Sequence, residues 1–328
     1  MSIDVLIAAR HEPELEALFS EVPDGIELHY LPQESAIPTN EGRMVGKSPA
    51  LKVHLPGMEV VFGSVAESDF EHADALKWIQ QPTIGVEGHM YPALQNSDVI
   101  LTNCKDLGST QLAEQAFALL LSITRCIREQ HDFQKEKVWK RIPCFELGGS
   151  TVGVIGLGGV GRAVAKRAEA FGTRVLAVDI ENVDKPDYVE RVEKPDKLGD
   201  IASECDVLIS CVPSTPLSHK MVDGDVIGRL KPNAYFINVS RGKVVDEDAL
   251  IEALQTGRLA GAGLDVTYVE PCPQDSRLWD LPNVIMTSHS AGSSQNVRER
   301  AIRFFIENLN RYVKGEPLEK VVDKQKGY

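Results

Sequence analysis

The chain has 328 residues, 43% of them hydrophobic, and a formal net charge of −13 with a pI near 5.2. That length fills two cores of ordinary size, and the negative field repels phosphates, which argues against a nucleic-acid or anionic-membrane partner. No apolar run approaches the ~20 residues needed to cross a bilayer, and the start MSIDVLIAARHEPELEA lacks the basic, apolar and small-residue regions of a secretory signal; a cytoplasmic location is expected.

The first hundred residues alternate short apolar runs with short helical patterns. Residues 5–9 and 26–31 read as strands around a helix over 14–19, and the Pro- and Gly-rich stretch 32–57 reads as an irregular loop or an extra hairpin. Residues 60–62, 78–79 and 99–102 read as further strands, with a helix over 68–75. Such alternation predicts a parallel sheet. The piece TIGVEGHM places Gly85 and Gly88 in a loop that can offer backbone N–H groups to an anion. Leu112, Ala116, Leu119, Leu120, Ile123 and Ile127 then form one stripe of a long helix over 111–128.

The most informative stretch follows, TVGVIGLGGVGRAVAKRAEAFGTRVLAVD over 151–179. A β-branched strand turns at Gly156, Gly158 and Gly161, a helix with apolar positions Val164, Ala165, Ala168 and Phe171 runs to Gly172, and a second strand ends on Asp179. The first glycine permits the tight turn, the second lets a pyrophosphate approach the backbone, and the third lets helix and strand pack closely. The helix start through Gly159 and Val160 can hold the pyrophosphate, and Asp179 lies at the distance expected for a carboxylate that takes ribose hydroxyls. That carboxylate repels the 2′-phosphate of NADP, and Ile180, Glu181 and Asn182 offer no arginine to receive it, so NAD is the expected cofactor.

Strands recur at 207–212, 235–239, 261–266 and 284–287, with a helix over 247–256 capped by Asp246 and stopped by Gly257, and a last helix over 295–313 ending at Gly315. Ligands in open α/β sheets sit at the carboxyl ends of strands. Those ends carry Val212 and Pro213, then Val239-Ser240-Arg241-Gly242, then Asp265 with Glu270, then His289 through Gly292. An arginine, a glutamate and a histidine thus follow successive strands. The six cysteines include no C-x-x-C pair, fall in apparent core segments and read as reduced buried thiols; no metal site is expected.

Taken together, GLGGVG with Asp179, CVPSTPLSHKMVD, LKPNAYFINVSRGKVVDEDALIEALQTGRLAGAGLDV, Glu270-Pro271 and SHSAG around His289 resemble the D-isomer-specific 2-hydroxyacid dehydrogenase family. The resemblance is strong from about Asn103 to the last helix and loose before it. It implies a doubly wound α/β fold in which a Rossmann NAD-binding domain (105–295) is inserted into a discontinuous flavodoxin-like substrate domain (1–104 and 296–328), with a cleft that closes between them and a homodimer formed largely through the NAD domains. It implies that Arg241, Glu270 and His289 are catalytic. Arg241 grips the carboxylate of a small 2-oxo or D-2-hydroxy acid, and His289 moves the proton with Glu270 as its partner. It further implies cofactor contacts at Val212, Pro213, Thr215, Val239, Ser240, Arg241, Asp265 (to the nicotinamide carboxamide), His289 and Gly292, and a substrate loop at Val86, Glu87 and Gly88. Of the other histidines only His89 lies beside that loop, where it can touch substrate.

Two positions depart from the family pattern. The loop reads Gly-Val-Glu where Gly-Val-Asp is more frequent, and Ser288 stands before His289 where proline is usual. Neither removes a reacting group, so the departures bear on substrate identity. A rival reading is a non-catalytic NAD-sensing protein on the same fold. Formate dehydrogenases would be expected to carry glutamine in place of Glu270, and a long phosphoglycerate dehydrogenase would need a regulatory domain beyond the short tail that follows the last helix.

Overall fold

A computed structural model describes residues 2–8, 13–31 and 51–328. The chain divides into two compact units: Met1–Leu107 with Ser294–Tyr328, and Gly108–Ser293.

The first unit is built on five parallel strands, β1 (Ile3–Ile7), β2 (Ile26–Tyr30), β3 (Val60–Phe62), β4 (Trp78–Gln80) and β5 (Ile100–Thr102), in the order β2-β1-β3-β4-β5. This is the flavodoxin-like doubly wound order. Successive side chains alternate between faces. Val5, Ile7, Val60, Phe62 and Trp78 enter one apolar cluster, whereas Leu6, Val61, Ile79 and Leu101 enter another on the opposite face. Covering both faces is what turns these strands into unbroken apolar runs. The helix Val297–Val313 returns to this unit, where the Phe305 ring stacks on Phe62 at 4.6 Å and meets Trp78 at 5.4 Å. In place of the helix expected over 68–75 only Glu67–Phe70 is helical. Of the irregular stretch 32–57, a short helix, Leu51–His54, begins the described part; the rest of that expectation, and His11, lie outside the described residues.

The second unit holds seven parallel strands, β6 (Thr151–Ile155), β7 (Arg174–Val178), β8 (Arg191–Glu193), β9 (Val207–Ser210), β10 (Ala234–Asn238), β11 (Leu259–Leu264) and β12 (Val284–Met286). Their order, β12-β11-β10-β9-β6-β7-β8, reverses direction between β6 and β9, the switch point at which open sheets bind ligands. Val152 and Val154 of β6 point into one core and Ile155 into the other. β8 was not expected: it is a half-buried edge strand with Val192 as its one apolar residue, too short to show a period.

Helix Ser109–Thr124 packs on the sheet over β11, where the sequence Gly-Ala-Gly removes side chains from the contact. A Cβ on Gly263 would lie 2.7 Å from that of Leu119, and one on Gly261 2.8 Å from Ile123 Cγ2. Gly263→Val should therefore destabilise by about 1–3 kcal/mol through overpacking. Thermal unfolding should show it as a midpoint lowered by several degrees; an unchanged midpoint would contradict this packing account.

Two other expectations are corrected. The helix over 111–128 is broken: Cys126 takes φ 54 and a separate helix runs over Ile127–Lys135. The cause is tertiary, because Phe145 N–H donates to Thr124 O at 2.9 Å, occupying the carbonyl that a continuing helix would offer to residue 128. Asp246 precedes helix Glu247–Gln255 but makes no side-chain cap; its carboxylate pairs with Lys220 Nζ at 3.2 Å instead. Among the described residues no helix is long and apolar enough to cross a membrane.

Candidate active site

The glycine turn after β6 shows what each glycine does. Gly156 adopts φ 87, and a Cβ there would meet Val212 Cγ1 at 2.7 Å. A Cβ on Gly161 would fall 1.8 Å from Gly156 O, so only glycine lets helix Gly159–Ala170 start this close to the strand. Gly158 differs. It is the N-cap without a side-chain bond, and a Cβ there would meet nothing within 4 Å. Open space beside uncapped helix amides is the environment that a pyrophosphate needs. The structure thus fits a dinucleotide at Gly158, Gly159 and Val160 on geometry.

Asp179, just beyond β7, ties this turn to the next one. Its Oδ2 accepts from Leu157 N at 2.6 Å and its Oδ1 from Glu181 N at 2.8 Å. A cation that the sequence reading missed lies alongside: Lys194 Nζ donates to Ile180 O at 2.8 Å and to Glu181 O at 2.9 Å. It comes from the end of β8, the strand without a legible period, and is far from Asp179 along the chain.

The loop after β9 carries Val212, Pro213 and Thr215. Ser218 shapes it by donating from Oγ to Pro213 O at 2.6 Å and accepting from Thr215 N at 2.8 Å. After β10, buried Asn238 organises the turn that carries Val239, Ser240 and Arg241. Its Oδ1 accepts from Ser240 N at 3.0 Å and Ser240 Oγ at 2.8 Å, and its Nδ2 donates to Arg241 O at 3.0 Å. Asn238 was another omission. An asparagine closing a strand ahead of a turn is the available signal, since its side chain mimics backbone bonding. Arg241 itself donates from one guanidinium nitrogen to Ser240 O at 2.7 Å. Gly242 follows because a Cβ there would overlap Thr267 O at 1.9 Å.

The third and fourth strand ends meet. Glu270 Oε2 lies 2.9 Å from His289 Nδ1, and Glu270 Oε1 accepts from Thr267 N at 3.3 Å. With both carboxylate oxygens accepting, His289 Nδ1 carries the proton of that bond. His289 sits at φ 51, a backbone region that few non-glycine residues adopt and that is over-represented at working sites. Asp265 keeps it there. Its backbone O accepts from His289 N at 2.8 Å, its Oδ1 accepts from Thr287 Oγ1 at 2.5 Å and Ser290 N at 3.0 Å, and its Oδ2 accepts from Ala291 N at 2.9 Å. At 1% exposure this carboxylate holds the histidine loop from beneath it. Gly292 closes the loop, its O accepting from Gln111 Nε2 at 3.3 Å.

In the first unit, residues 86–88 form the start of a short 3-10 turn, with Val86 buried and Glu87 and Gly88 exposed. His89 turns inward. It is 2% exposed, its Nε2 accepts from Val65 N at 3.3 Å, and burial pushes it down to about 4, so it is a neutral structural acceptor. Tyr91 Oη anchors the same residue by donating to Val65 O at 3.1 Å. On neighbouring strands Asp4, Glu27 and His29 bring their ligand-type atoms within 4.8 Å of one another, but His29 Nε2 and Asp4 Oδ1 already pair at 2.8 Å.

The cysteines are less uniform than expected. Cys104 and Cys205 are buried thiols that burial pushes up to about 12, but Cys144 is exposed and Cys126, Cys211 and Cys272 are partly so.

Residues 117–291 match the model of the D-isomer specific 2-hydroxyacid dehydrogenase, NAD binding domain. A glyoxylate reductase from Korarchaeum cryptofilum is 35% identical over 265 residues, covering 78% of this chain and 79% of that one. A D-isomer specific 2-hydroxyacid dehydrogenase family protein from Aeromonas salmonicida superposes with a TM-score of 0.86 at 25% identity, covering 99% of this chain and 100% of that one. The NADPH-dependent glyoxylate/hydroxypyruvate reductase of Sinorhizobium meliloti, solved with NADP and sulfate, gives a TM-score of 0.82 at 27% identity with full coverage of both chains. A switch-point glycine turn, a histidine–glutamate pair at adjacent strand ends and matches across nearly the whole chain have one common explanation: the chain belongs to the D-isomer-specific 2-hydroxyacid dehydrogenase family.

Proposed function

We propose that the protein is an NAD-dependent 2-oxo acid reductase acting on small substrates to give D-2-hydroxy acids, with His289, Glu270 and Arg241 as its catalytic groups. The observation that carries the reading is the 2.9 Å contact between His289 Nδ1 and Glu270 Oε2. When bound, the dihydronicotinamide supplies the hydride to the substrate carbonyl carbon. His289 delivers the proton from Nε2 to the carbonyl oxygen and takes it back in the oxidative direction. Glu270 favours the charged ring and fixes which nitrogen faces the reactant. Arg241 offers a planar fork to the substrate carboxylate, and Val86, Glu87 and Gly88 are assigned to substrate binding. The 105–295 segment is the cofactor domain and the remainder the substrate domain. The similarity to glyoxylate reductases makes glyoxylate the first candidate substrate. The assembly is taken as a homodimer, and six free thiols support a cytoplasmic setting. NADH oxidation with a panel of 2-oxo acids tests the reading; no turnover on any of them would favour a non-catalytic NAD-binding protein.

Cofactor choice has two readings. Asp179 favours NAD through repulsion of a 2′-phosphate, whereas Lys194 beside it supplies a cation that suits NADP, the cofactor bound in the Sinorhizobium relative. We assign NAD, because the carboxylate stands at the strand end and Lys194 is held by two carbonyls. The wild type should show a higher kcat/KM with NADH than with NADPH. Asp179→Ala should narrow the gap, and Lys194→Ala should widen it. Equal kcat/KM for both cofactors in the wild type would refute the assignment.

A further inference from the structure

The break after helix Ser109–Thr124 brings together two cysteines that are far apart in the sequence. Phe145 N–H bonds Thr124 O at 2.9 Å, so the outgoing chain at Arg125-Cys126 and the returning chain at Pro143-Cys144 run side by side. The thiols cross between them. Cys126 Sγ donates to Pro143 O at 3.4 Å, and Cys144 Sγ donates to Arg125 O at 3.5 Å, each reaching the residue that precedes the other cysteine. The Cys144 thiol is thus a close neighbour of Cys126.

We propose that Cys126 and Cys144 are a modification site, an oxidisable dithiol that takes a hydroperoxide and closes to a disulfide across the base of the segment 127–143. Exposure sets the order of events, since Cys144 is exposed and Cys126 is only partly so. The Cys144 thiolate attacks the distal oxygen of the hydroperoxide; the O–O bond breaks, water or an alcohol leaves, and Cys144 becomes a sulfenic acid. The Cys126 thiolate then attacks the sulfenic sulfur; the S–S bond forms, the S–O bond breaks, and the hydroxide departs as water. Two thiols are oxidised and one hydroperoxide is reduced. Burial, with Cys144 and Glu129 alongside and Arg125 opposing, holds Cys126 above the ordinary thiol range, which suits it to attack second rather than first.

The outcome is specific among six cysteines. Cys104 and Cys205 lie in the cores, the Cys211 thiol is held high by burial, and Cys272 Sγ turns to Pro273 O at 3.9 Å. The closed ring would staple the segment that carries Trp139, which is fully exposed on the single chain.

Full-length protein treated with hydrogen peroxide, quenched by N-ethylmaleimide in denaturant and mapped without reduction should lose two alkylatable thiols of the six, with a single linked peptide joining Cys126 to Cys144. Dithiothreitol should restore all six. In Cys126→Ser, peroxide should leave Cys144 as a sulfenic acid that dimedone traps, and Cys144→Ser should abolish both linkage and trapping. Six alkylatable thiols after peroxide, a linkage to any other cysteine, or a Cys144–Cys144 link between chains would overturn the proposal. The wild-type map does not depend on either variant folding.

Discussion

Replacing His289 by alanine is expected to lower kcat for 2-oxo acid reduction by about 10²–10⁴-fold, the usual worth of a positioned general acid, with NADH affinity largely kept. The ring lies 2.9 Å from Glu270, at the ends of β12 and β11, away from the glycine turn that is fitted to the dinucleotide. Glu270→Gln separates charge from shape. The amide still accepts from His289 but no longer favours its charged form, so the proton is lost at lower pH. Reduction needs the charged ring, and the falling alkaline limb of kcat/KM should therefore move to lower pH. Initial rates across a pH series decide both points. Near wild-type turnover in His289→Ala on the best substrate would remove the histidine from the mechanism.

Arg241→Ala should cost about 10²–10⁴-fold in kcat/KM, because two hydrogen bonds to a charged group are worth roughly 1.5–3 kcal/mol each. The loss should divide between KM for the 2-oxo acid and kcat, since a fork in the proposed role would hold the carboxylate in the ground state and polarise the neighbouring carbonyl as charge develops. Arg241→Lys should recover little, because an ammonium cannot reproduce a planar bidentate contact. The turn beneath is fixed by Asn238, so the variant backbone should stay in place. A KM unchanged in Arg241→Ala would show that the carboxylate is held elsewhere.

How much of this was legible in the sequence depends on where the information lies. The fold class was legible because both sheets are parallel and covered on both faces, which leaves continuous apolar runs such as TVGVI and LAGAGL in the sequence. The glycine turn was legible because its constraints are steric and local. β8 was not, because an edge strand of three half-buried residues has no period to read, and Lys194 was lost with it. The break at Cys126 was also hidden: Arg125, Cys126 and Ile127 are all compatible with a helix, and the bond that ends it comes from Phe145. The inward turn of His89 depends on its contact with Val65 N, a long-range bond that local pattern does not encode. Asp265 illustrates the same limit. Its position after β11 was clear, but the residues that donate to its carboxylate, Thr287, Ser290 and Ala291, come from the next strand end.

The left-handed backbone at His289 restricts what can replace it. Asparagine enters that region several-fold more readily than most residues, glycine does so freely, and alanine carries a Cβ that resists it. Alanine therefore reports a mixture of lost proton transfer and a relaxed loop, and His289→Asn is the cleaner probe of chemistry alone. The same restriction filters descent: a lineage of this fold that abandoned catalysis while keeping its scaffold would be expected to drift to asparagine or glycine here.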